Sequence, residues 1–440
     1  MPLLPSPPPS RTISDATSED VKPTLTRPRR LILCFDGTSN LFDKENTNVV
    51  KLVSYLKKDD LNEQQVYYQE KTGVGTYIPP GTSMRFAVSM AKLVDQAVAW
   101  DIGNHIMGGY SFLMQNWTPG SKISIFGFSR GAYTARALAG MLHKAGLLSR
   151  SNEEQVPFAY KMYATGSDMC DGFKTTFCNP VEVDFLGVWD TVSSVGVLTK
   201  TDLPFTDSAQ FIRVFRHAVS LDERRCKFKA NLCELSCSRC MEIRMRNAKL
   251  SETEEDDIKS LECDEPHTDV EEVWFAGGHG ETDVGGGCVT NGVAHSANRI
   301  PLVWMIREMV LSKTGIEFNT DALNRDGIKL PTPDARVHLV SKLDLRYAED
   351  VKAPIHDWLN EDKRWWILEL LPFTYRVLRK KEQKKKVKKS SKWRLSPWPN
   401  FGHYRNLPSE NMKVHVSVLE RRSNNPSYDF RWTKDPKWIQ

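Results

Sequence analysis

The segment SKISIFGFSRGAYTARALAGMLHKAGLL, residues 121–148, constrains the fold of this 440-residue chain more than any other. Its first part is a short apolar run that predicts a buried strand, and its last part is rich in Ala and Leu and predicts a helix. Ser129 lies between them, flanked by Gly127 and Gly131. Small residues at these two positions allow a sharp strand-to-helix turn that holds a serine hydroxyl clear of the backbone. We therefore interpret Ser129 as a candidate nucleophile.

Four further apolar runs predict strands, and they alternate with stretches of helical spacing. The runs are RRLILCFDGTSN, QQVYYQEKTG, VEVDFLGVWDTV and VEEVWFAGGHGETDVGGG, and the helical stretches are about 48–58 and 84–117. This alternation indicates an α/β fold, with a mostly parallel sheet and helices on both faces. Ligand crevices in such sheets lie at the carboxyl ends of the strands, where the candidate side chains fall.

A serine hydroxyl needs a neighbouring base, and the base needs a carboxylate to orient it. Asp190 and His279 each follow a predicted strand. The order Ser129, Asp190, His279 is the order of catalytic residues in α/β-hydrolases, so we expect these residues to form a triad on an α/β-hydrolase-like fold. The non-catalytic alternatives are that Asp190 caps the following turn and that His279 is only a residue of a glycine-rich loop.

Three other residues are alternatives in this assignment. Asp283 follows closely after His279 and is an alternative acid, while His217 and His415 are alternative bases in weaker sequence surroundings. For Ser129 itself, the alternative is a glycine-rich turn that only packs a helix on the sheet.

The backbone at two strand ends offers candidate donors for an oxyanion hole. Amide groups at the start of the helix after the serine, beginning with Arg130, are expected to supply one part of it. Gly37 and Thr38, which follow the first predicted strand, are expected to supply the second donor. The same Asp-Gly-Thr run also suggests a phosphatase of the haloacid-dehalogenase type, but Cys34 stands where those enzymes have a nucleophilic Asp.

Composition divides the chain into three parts. Residues 1–28 are rich in Pro, Ser and Thr and are predicted to be a disordered tail. We assign 29–350 to the catalytic domain, with a variable insert at about 226–268, and 351–440 to a C-terminal extension. The extension contains an almost wholly basic segment at 379–394, which is predicted to be a solvated loop.

Hydrophobic residues make up 40% of the chain and charged residues 26%, close to the usual proportions of soluble globular proteins. The net charge of +5 is small and is concentrated in the basic segment, so no nucleic-acid partner is expected. The sequence has neither a signal-peptide pattern nor an apolar run of membrane-spanning length. We therefore expect an intracellular, cytoplasmic protein whose nine cysteines are reduced.

The variable insert contains a group of cysteines that suggests a zinc site. They are Cys226, Cys233, Cys237, Cys240 and Cys263. Because the paired spacing of zinc-binding cysteines is missing, we interpret them as thiols and expect neither a metal nor another cofactor.

The basic segment follows the sequence RWWILELLPFTY, which joins lysine charge to aromatic residues. This combination suggests peripheral contact with an anionic membrane. The alternatives are a solvated loop beside a core helix and a nuclear-localisation patch.

Together with several other stretches, these motifs resemble one known family. The matching stretches are LILCFDGTSN, NTNVVKL, QQVYYQ, FGFSRGAYTARALAGML, VDFLGVWDTVSSVG, FRHAVSLDERR and HTDVEEVWFAG followed by DVGGG, with weaker likeness in KVHVSVLERR. They resemble the α/β-hydrolase domains, abundant in fungi, that were long catalogued as a domain of unknown function. Bacterial relatives of these domains include type VI secretion phospholipase effectors.

The resemblance implies a serine hydrolase that cleaves carboxylic esters, with lipid or phospholipid among the expected substrates, by acyl transfer through Ser129. Members of the family have a short link between the histidine and Asp-Val-Gly-Gly-Gly. Here the longer link Gly-Glu-Thr separates His279 from Asp283. This difference keeps open the alternative of a catalytically impaired hydrolase fold that serves as an interaction module.

Overall fold

A computed structural model gives the structure of the protein. The described residues are 28–38, 45–71, 102–192, 203–233, 268–279, 289–290, 295–331, 348–363, 365–369, 374–381, 388–395, 399–408, 412–428, 432 and 435–440. Residues 1–27 of the predicted disordered tail, most of the cysteine-containing insert and Asp283 lie outside these residues.

The strands of the described residues are numbered in chain order. They are β1 (Arg30–Thr38), β2 (Glu45–Asn46), β3 (Gln64–Lys71), β4 (Lys122–Phe128), β5 (Leu147–Leu148), β6 (Cys178–Asn179), β7 (Val183–Trp189), β8 (Ile212–Ser220), β9 (Asp269–Phe275), β10 (Val289–Thr290), β11 (Thr374–Lys381), β12 (Lys388–Leu395), β13 (Lys413–His415) and β14 (Lys437–Ile439).

Eight of these strands form one central sheet in the order β14-β13-β9-β8-β7-β4-β1-β3. Every neighbouring pair in this sheet is parallel. The predicted α/β fold with a mostly parallel, hydrolase-like sheet is therefore confirmed. The chain order reverses at β1, since β3 lies on one side of it and β4 on the other, and this is where open α/β sheets form their ligand crevice.

The helices are also numbered in chain order. They are α1 (Asn48–Tyr55), α2 (102–116), α3 (Arg130–Ala145), α4 (Val156–Thr165), α5 (Cys170–Phe177), α6 (Arg299–Leu311), α7 (Thr320–Arg325), α8 (Ala348–Lys352), α9 (Trp358–Glu361), α10 (Trp365–Glu369) and α11 (Ser417–Asn424). No helix among the described residues has both the length and the apolar character needed to cross a bilayer.

Alternate side chains of β1 show how the helices cover both faces of the sheet. Leu31, Leu33 and Phe35 belong to one buried cluster, to which α2 and α3 contribute. Ile32 and Cys34 belong to the opposite cluster, to which α1 and α6 contribute. Burying a large apolar side chain contributes about 1.5–3 kcal/mol relative to exposing it, so a strand buried on both faces is a strong anchor for the site at its end.

The strand β8 lacks the continuous apolar pattern that identified β1, β4 and β7, and the sequence did not predict it. It contains Arg216 and His217, which are both buried. Arg216 pairs with Glu308 of α6 and with Asp269 of β9. A buried charge is tolerated when it is paired in this way, and the partners come from distant parts of the sequence.

The basic segment 379–394 corrects the sequence interpretation, because its described residues are not a solvated loop. Residues 379–381 lie in β11 and 388–394 lie in β12, and the two strands pair as an antiparallel ribbon. Main-chain hydrogen bonds hold an antiparallel pair whether or not its side chains are apolar, and charge patterning alone does not report them. The C-terminal extension also supplies β13 and β14 to the central sheet.

Candidate active site

Ser129 occupies the sharp turn between β4 and α3, at the carboxyl end of a central strand. Its φ of 57° is left-handed, a conformation that costs a non-glycine residue about 1–3 kcal/mol. The flanking glycines are required for steric reasons: a Cβ on Gly127 would lie 2.5 Å from the Gly131 carbonyl oxygen, and a Cβ on Gly131 would collide with the main chain of β1. The turn therefore needs the glycine spacing that the sequence displays.

Ser129, His279 and Asp190 lie in line at the ends of three strands. The Ser129 Oγ is 2.7 Å from Nε2 of His279, and Nδ1 of His279 is 2.5 Å from Oδ2 of Asp190. With the proton on Nδ1, the imidazole donates to Asp190, and Nε2 accepts from the serine hydroxyl. All three side chains are buried. The structure thus brings together the three residues that the sequence predicted as a triad.

The loop that carries His279 is anchored by two carboxylates that follow β8. The His279 amide donates to Oε2 of Glu223 at 3.0 Å, and the Gly277 amide donates to Oδ2 of Asp222 at 2.5 Å. Glu223 is itself paired with Arg225 at 2.8 Å. These contacts fix the main chain of the loop up to residue 279, which is its last described position before residue 289.

Aromatic rings enclose the imidazole of His279. The ring centroid of Phe128 is 5.2 Å away, and that of Phe228 is 4.6 Å away. Phe228 belongs to the 3-10 turn Cys226–Phe228, so the first residues of the predicted variable insert line the site. The rings exclude water from the imidazole and lower the local dielectric, which strengthens the polar contacts inside.

Asp190 follows β7 and accepts hydrogen bonds on both carboxylate oxygens. Oδ1 accepts from the Ser220 amide at 2.9 Å and from Nη1 of Arg405 at 2.6 Å. Oδ2 accepts from Nη2 of Arg405 at 2.8 Å, in addition to His279. The Arg405 and Asp190 side chains are 3% and 0% exposed, so this is a buried and bidentate ion pair.

These contacts set the protonation of the site. Burial acts to raise the pKa of Asp190, but Arg405 and His279 hold that pKa well below its usual range. Burial lowers the pKa of His279, and its hydrogen bond with Asp190 opposes that change only in part. The carboxylate is therefore ionised and the imidazole is neutral at physiological pH, which is the state that a general base requires.

Two of the predicted oxyanion donors, Arg130 and Gly37, lie next to Ser129. Arg130 is the first residue of α3, and the first amide groups of a helix point towards its N-terminus. A Cβ on Gly37 would lie 3.6 Å from the Ser129 Cβ, which places the end of β1 beside the serine. The Gly37 amide, however, donates to Oδ1 of Asp36 at 2.6 Å. Thr38 is the last residue of β1.

Asp36 is a buried carboxylate next to these donors, and the sequence interpretation gave it no role. Its Oδ2 accepts from the hydroxyl groups of Thr47 at 2.8 Å and Tyr68 at 2.9 Å. Burial raises the pKa of Asp36 to about 6, although the three hydrogen bonds act in the opposite direction.

The alternative bases make other contacts. Nε2 of His217 accepts from the Thr191 amide at 3.0 Å, and its Nδ1 is 2.8 Å from Oε1 of Glu272. His415 is 2.8 Å from Oγ of Ser417 through Nδ1, and burial lowers its pKa to about 3. Both ring nitrogens of His217 are thus engaged away from the serine. Asp283, the alternative acid, lies outside the described residues.

Of the cysteines considered for zinc, only Cys226 and Cys233 are described, and Cys237, Cys240 and Cys263 are not. Cys226 is buried and Cys233 is partly exposed. Within the described ranges, no group of three or more His, Cys, Asp or Glu side chains is arranged to hold a metal ion.

Sequence reasoning missed Arg405, Ser220 and Glu223 as parts of the site. Ser220 and Glu223 lie in or beside the stretch FRHAVSLDERR, whose resemblance to the family was the one signal available for them. Arg405 has no comparable signal, because it contacts Asp190 across 215 residues of sequence.

Comparison with known proteins places the chain in a family. A protein of Saccharomyces cerevisiae described as uncharacterized is 40% identical over 222 residues, which cover 47% of this chain and 32% of that protein. The chain thus spans about a third of that relative's length. A crystal structure of an uncharacterized protein from Pseudomonas aeruginosa aligns with 70% of this chain and 48% of its own, at 16% identity and a TM-score of 0.35. The family described as T6SS, phospholipase effector Tle1-like, catalytic domain matches residues 29–308, and the chain belongs to it.

Proposed function

We propose that the protein is a serine hydrolase that cleaves carboxylic esters of lipids, including phospholipids, through Ser129. The observation that carries this proposal is the continuous hydrogen-bonded line from the Ser129 Oγ through His279 to Asp190. The description of the family as phospholipase effectors supports a lipid ester as substrate.

Each residue of the line has a defined part in the reaction. Nε2 of His279 takes the hydroxyl proton as the Ser129 Oγ attacks the ester carbonyl carbon, and a tetrahedral oxyanion forms. When the oxyanion collapses, the alcohol leaves with the proton from Nε2, and the acyl group stays on Ser129. Water then attacks the acyl-serine and gives a proton to the same nitrogen, which forms a second tetrahedral oxyanion. When this oxyanion collapses, Nε2 returns the proton to the Ser129 Oγ and the carboxylic acid is released. Asp190 keeps the imidazole in the required tautomer throughout.

Backbone amides are proposed to stabilise the oxyanion. The N-terminus of α3, beginning at Arg130, combines amide donors with the positive end of the helix dipole. The strand end at Gly37 and Thr38 is proposed to supply the second donor. Gly37 can contribute only when its amide leaves the Asp36 carboxylate, because that hydrogen bond of 2.6 Å occupies it.

An activated serine is tested with a fluorophosphonate probe, which reacts with the nucleophile whatever the natural substrate is. We expect the wild type to be labelled and Ser129→Ala to remain unlabelled. Ser124→Ala is the matched control, because Ser124 is also buried but lies within β4, before the turn. Labelling of Ser129→Ala at the wild-type rate would contradict the proposal. A folded wild type that is not labelled would favour the alternative of an interaction module without activity.

We also propose that the β11–β12 ribbon contacts anionic membranes. Residues 379–394 contain ten Lys and Arg residues against one Glu. Each basic side chain near an anionic surface contributes about 1 kcal/mol, and salt screens the attraction.

Vesicle co-sedimentation tests this contact at low and at physiological salt. The variant replaces five lysines by Gln: Lys384, Lys385, Lys386, Lys388 and Lys389. A control variant loses the same charge at exposed lysines elsewhere: Lys58, Lys161, Lys313, Lys329 and Lys352. The ribbon variant should lose salt-sensitive binding to anionic vesicles, and the control should keep it. Equal sedimentation of the wild type and the ribbon variant would remove the membrane proposal.

A further inference from the structure

Arg405 reaches the carboxylate of the proposed triad from outside the part of the chain that matches the family. The matched residues are 29–308, and Arg405 belongs to the described segment 399–408. This segment is built to hold its position: the Asn400 amide group donates to Oε2 of Glu369 at 2.8 Å, and the Gly402 amide donates to the same oxygen at 3.2 Å. The guanidinium is therefore delivered to Asp190 by an ordered stretch of chain.

The contacts of Arg405 are concentrated on Asp190 and on the groups that hold it. Nη1 and Nη2 each take one carboxylate oxygen, at 2.6 and 2.8 Å. Nη1 also donates to Oγ of Ser220 at 2.8 Å, and Nε donates to the Phe228 carbonyl at 2.9 Å. A planar guanidinium bound to both oxygens fixes the plane of the carboxylate as well as its place. The direction in which Oδ2 faces His279 is then determined.

We propose that Arg405 is a positioning residue for the proposed hydrolysis, which holds the Asp190 carboxylate in plane and offsets its charge so that His279 remains a neutral base. The inference rests on the proposed function, since it assigns Arg405 a part in the reaction of Ser129. It extends the candidate active site from the family-matched region into the C-terminal extension.

The charges around His279 determine whether loss of the Arg405 charge raises or lowers the pKa of the imidazole. Asp190 faces it from the end of β7 and Glu223 from the segment after β8, and both favour the imidazolium form. Arg405 faces it from the segment 399–408 and disfavours that form. Arg225 pairs with Glu223. Among the described residues on the other sides of the imidazole are the uncharged rings of Phe128 and Phe228.

Loss of the Arg405 charge therefore moves the lower pH limit of activity upwards. Without the guanidinium, the Asp190 carboxylate stabilises the imidazolium form of His279 more strongly, so the pKa of His279 rises. The pKa of Asp190 also rises, because its counter-charge is gone, and protonation of Asp190 removes the group that orients the imidazole. Both changes remove activity at a higher pH than in the wild type, so they act in the same direction.

The test measures kcat and KM for a short acyl ester from pH 4.5 to 9, after correction for the folded fraction. Arg405→Met should lower kcat by about 10- to 100-fold with little change in KM, the size of effect found at metal sites when the group that orients a functional side chain is lost. Its acidic limit should move up by about one pH unit. Arg405→Lys keeps the charge but loses the bidentate contact with Asp190. It should therefore lower kcat and leave the lower pH limit of activity close to that of the wild type.

The matched control is Arg216→Met, because Arg216 is also a buried arginine paired with two carboxylates but lies within β8. It should reduce the folded fraction and leave the pH profile of the folded molecules unchanged. An unchanged acidic limit in Arg405→Met, or the same shift in Arg216→Met, would overturn the inference while the hydrolase activity stands. If Arg405→Met fails to fold, a wild-type kcat in Arg405→Lys overturns it equally. A wild type that neither hydrolyses the ester nor reacts with the fluorophosphonate removes the proposed function itself.

Discussion

Replacing Asp190 by Asn changes one heavy atom, an oxygen to a nitrogen, and in either orientation the new nitrogen faces donors that the carboxylate had satisfied. Oδ1 accepts from the Ser220 amide and from Arg405, and Oδ2 accepts from His279, from Arg405 and from the Ser220 hydroxyl. The amide nitrogen of Asn is itself a donor. In one orientation it faces the Ser220 amide and Nη1 of Arg405; in the other it faces Nδ1 of His279 and Nη2 of Arg405. Neither orientation satisfies the site.

The expected loss of stability in Asp190→Asn follows from the buried charge of Arg405, which remains without a partner. With Asn at position 190, the Arg405 guanidinium stays 3% exposed and loses its counter-charge. Removing one partner of a buried ion pair costs about 3–5 kcal/mol. That is a large fraction of the stability of a typical domain, which is about 5–15 kcal/mol. Turnover should fall by about 10⁴-fold in the orientation that disturbs the histidine tautomer.

The assay combines urea unfolding with turnover of a short acyl ester, scaled to the folded fraction. Asp184→Asn is the matched control, because Asp184 lies near the start of the same strand and pairs with Arg213 and Lys122, which are 45% and 49% exposed. The Asp184 side chain is 6% exposed, so its replacement should cost stability, but Asp184 lies at the opposite end of β7 from the site and turnover per folded molecule should equal that of the wild type. Asp283→Asn should lose far less activity than Asp190→Asn. Wild-type turnover in Asp190→Asn, or the reverse ranking of the two acids, refutes the assignment.

Three further changes test other parts of the site. His279→Ala should abolish ester turnover in a folded protein, whereas folded His217→Gln should keep it; full activity in the first variant moves the base elsewhere. Gly131→Ala should unfold much of the protein, because its Cβ collides with the main chain of β1, whereas Gly172→Ala in the open helix α5 should stabilise it by about 1 kcal/mol in thermal unfolding. Burial raises the pKa of Asp36 from 3.8 to about 6, so the folded state binds this proton more tightly and stability contributed by Asp36 is lost as pH rises through that interval. Asp36→Asn should remove that part of the pH dependence of unfolding, and an unchanged dependence contradicts the shift.

Two of the three strands that carry the triad, β4 and β7, could be read from the sequence because a parallel strand with both faces covered is a nearly continuous apolar run. In β9 only the last three residues are buried, so the signal there was the short apolar end of the strand. The residues 183–189 are all buried, and the run VEVDFLGVWDTV displays this directly. Ser129, Asp190 and His279 were found because each directly or closely follows such a run. The glycine spacing around Ser129 could also be recognised in the sequence, because the turn has no room for a side chain at these two positions.

The parts that could not be predicted depend on contacts between distant residues. The strand β8 was hidden by Arg216 and His217, whose burial depends on partners in other elements. Arg405 was hidden for the same reason. The basic segment was wrongly predicted to be a loop because a run of lysines does not reveal that the main chain of β11 pairs with that of β12. A local pattern reports the side chains of its own segment and gives no information about what lies across from them.

The separation of Arg405 from Asp190 by 215 residues also sets an order of events during biosynthesis. When a ribosome has completed Ser129, Asp190 and His279, the cation that offsets the carboxylate has yet to be synthesised. An ionised carboxylate is costly to bury without a counter-charge, so the growing chain gains little by closing this end of the sheet early. Closure becomes favourable when the segment carrying Arg405 emerges, and the candidate centre is therefore completed only after residue 405 has been synthesised.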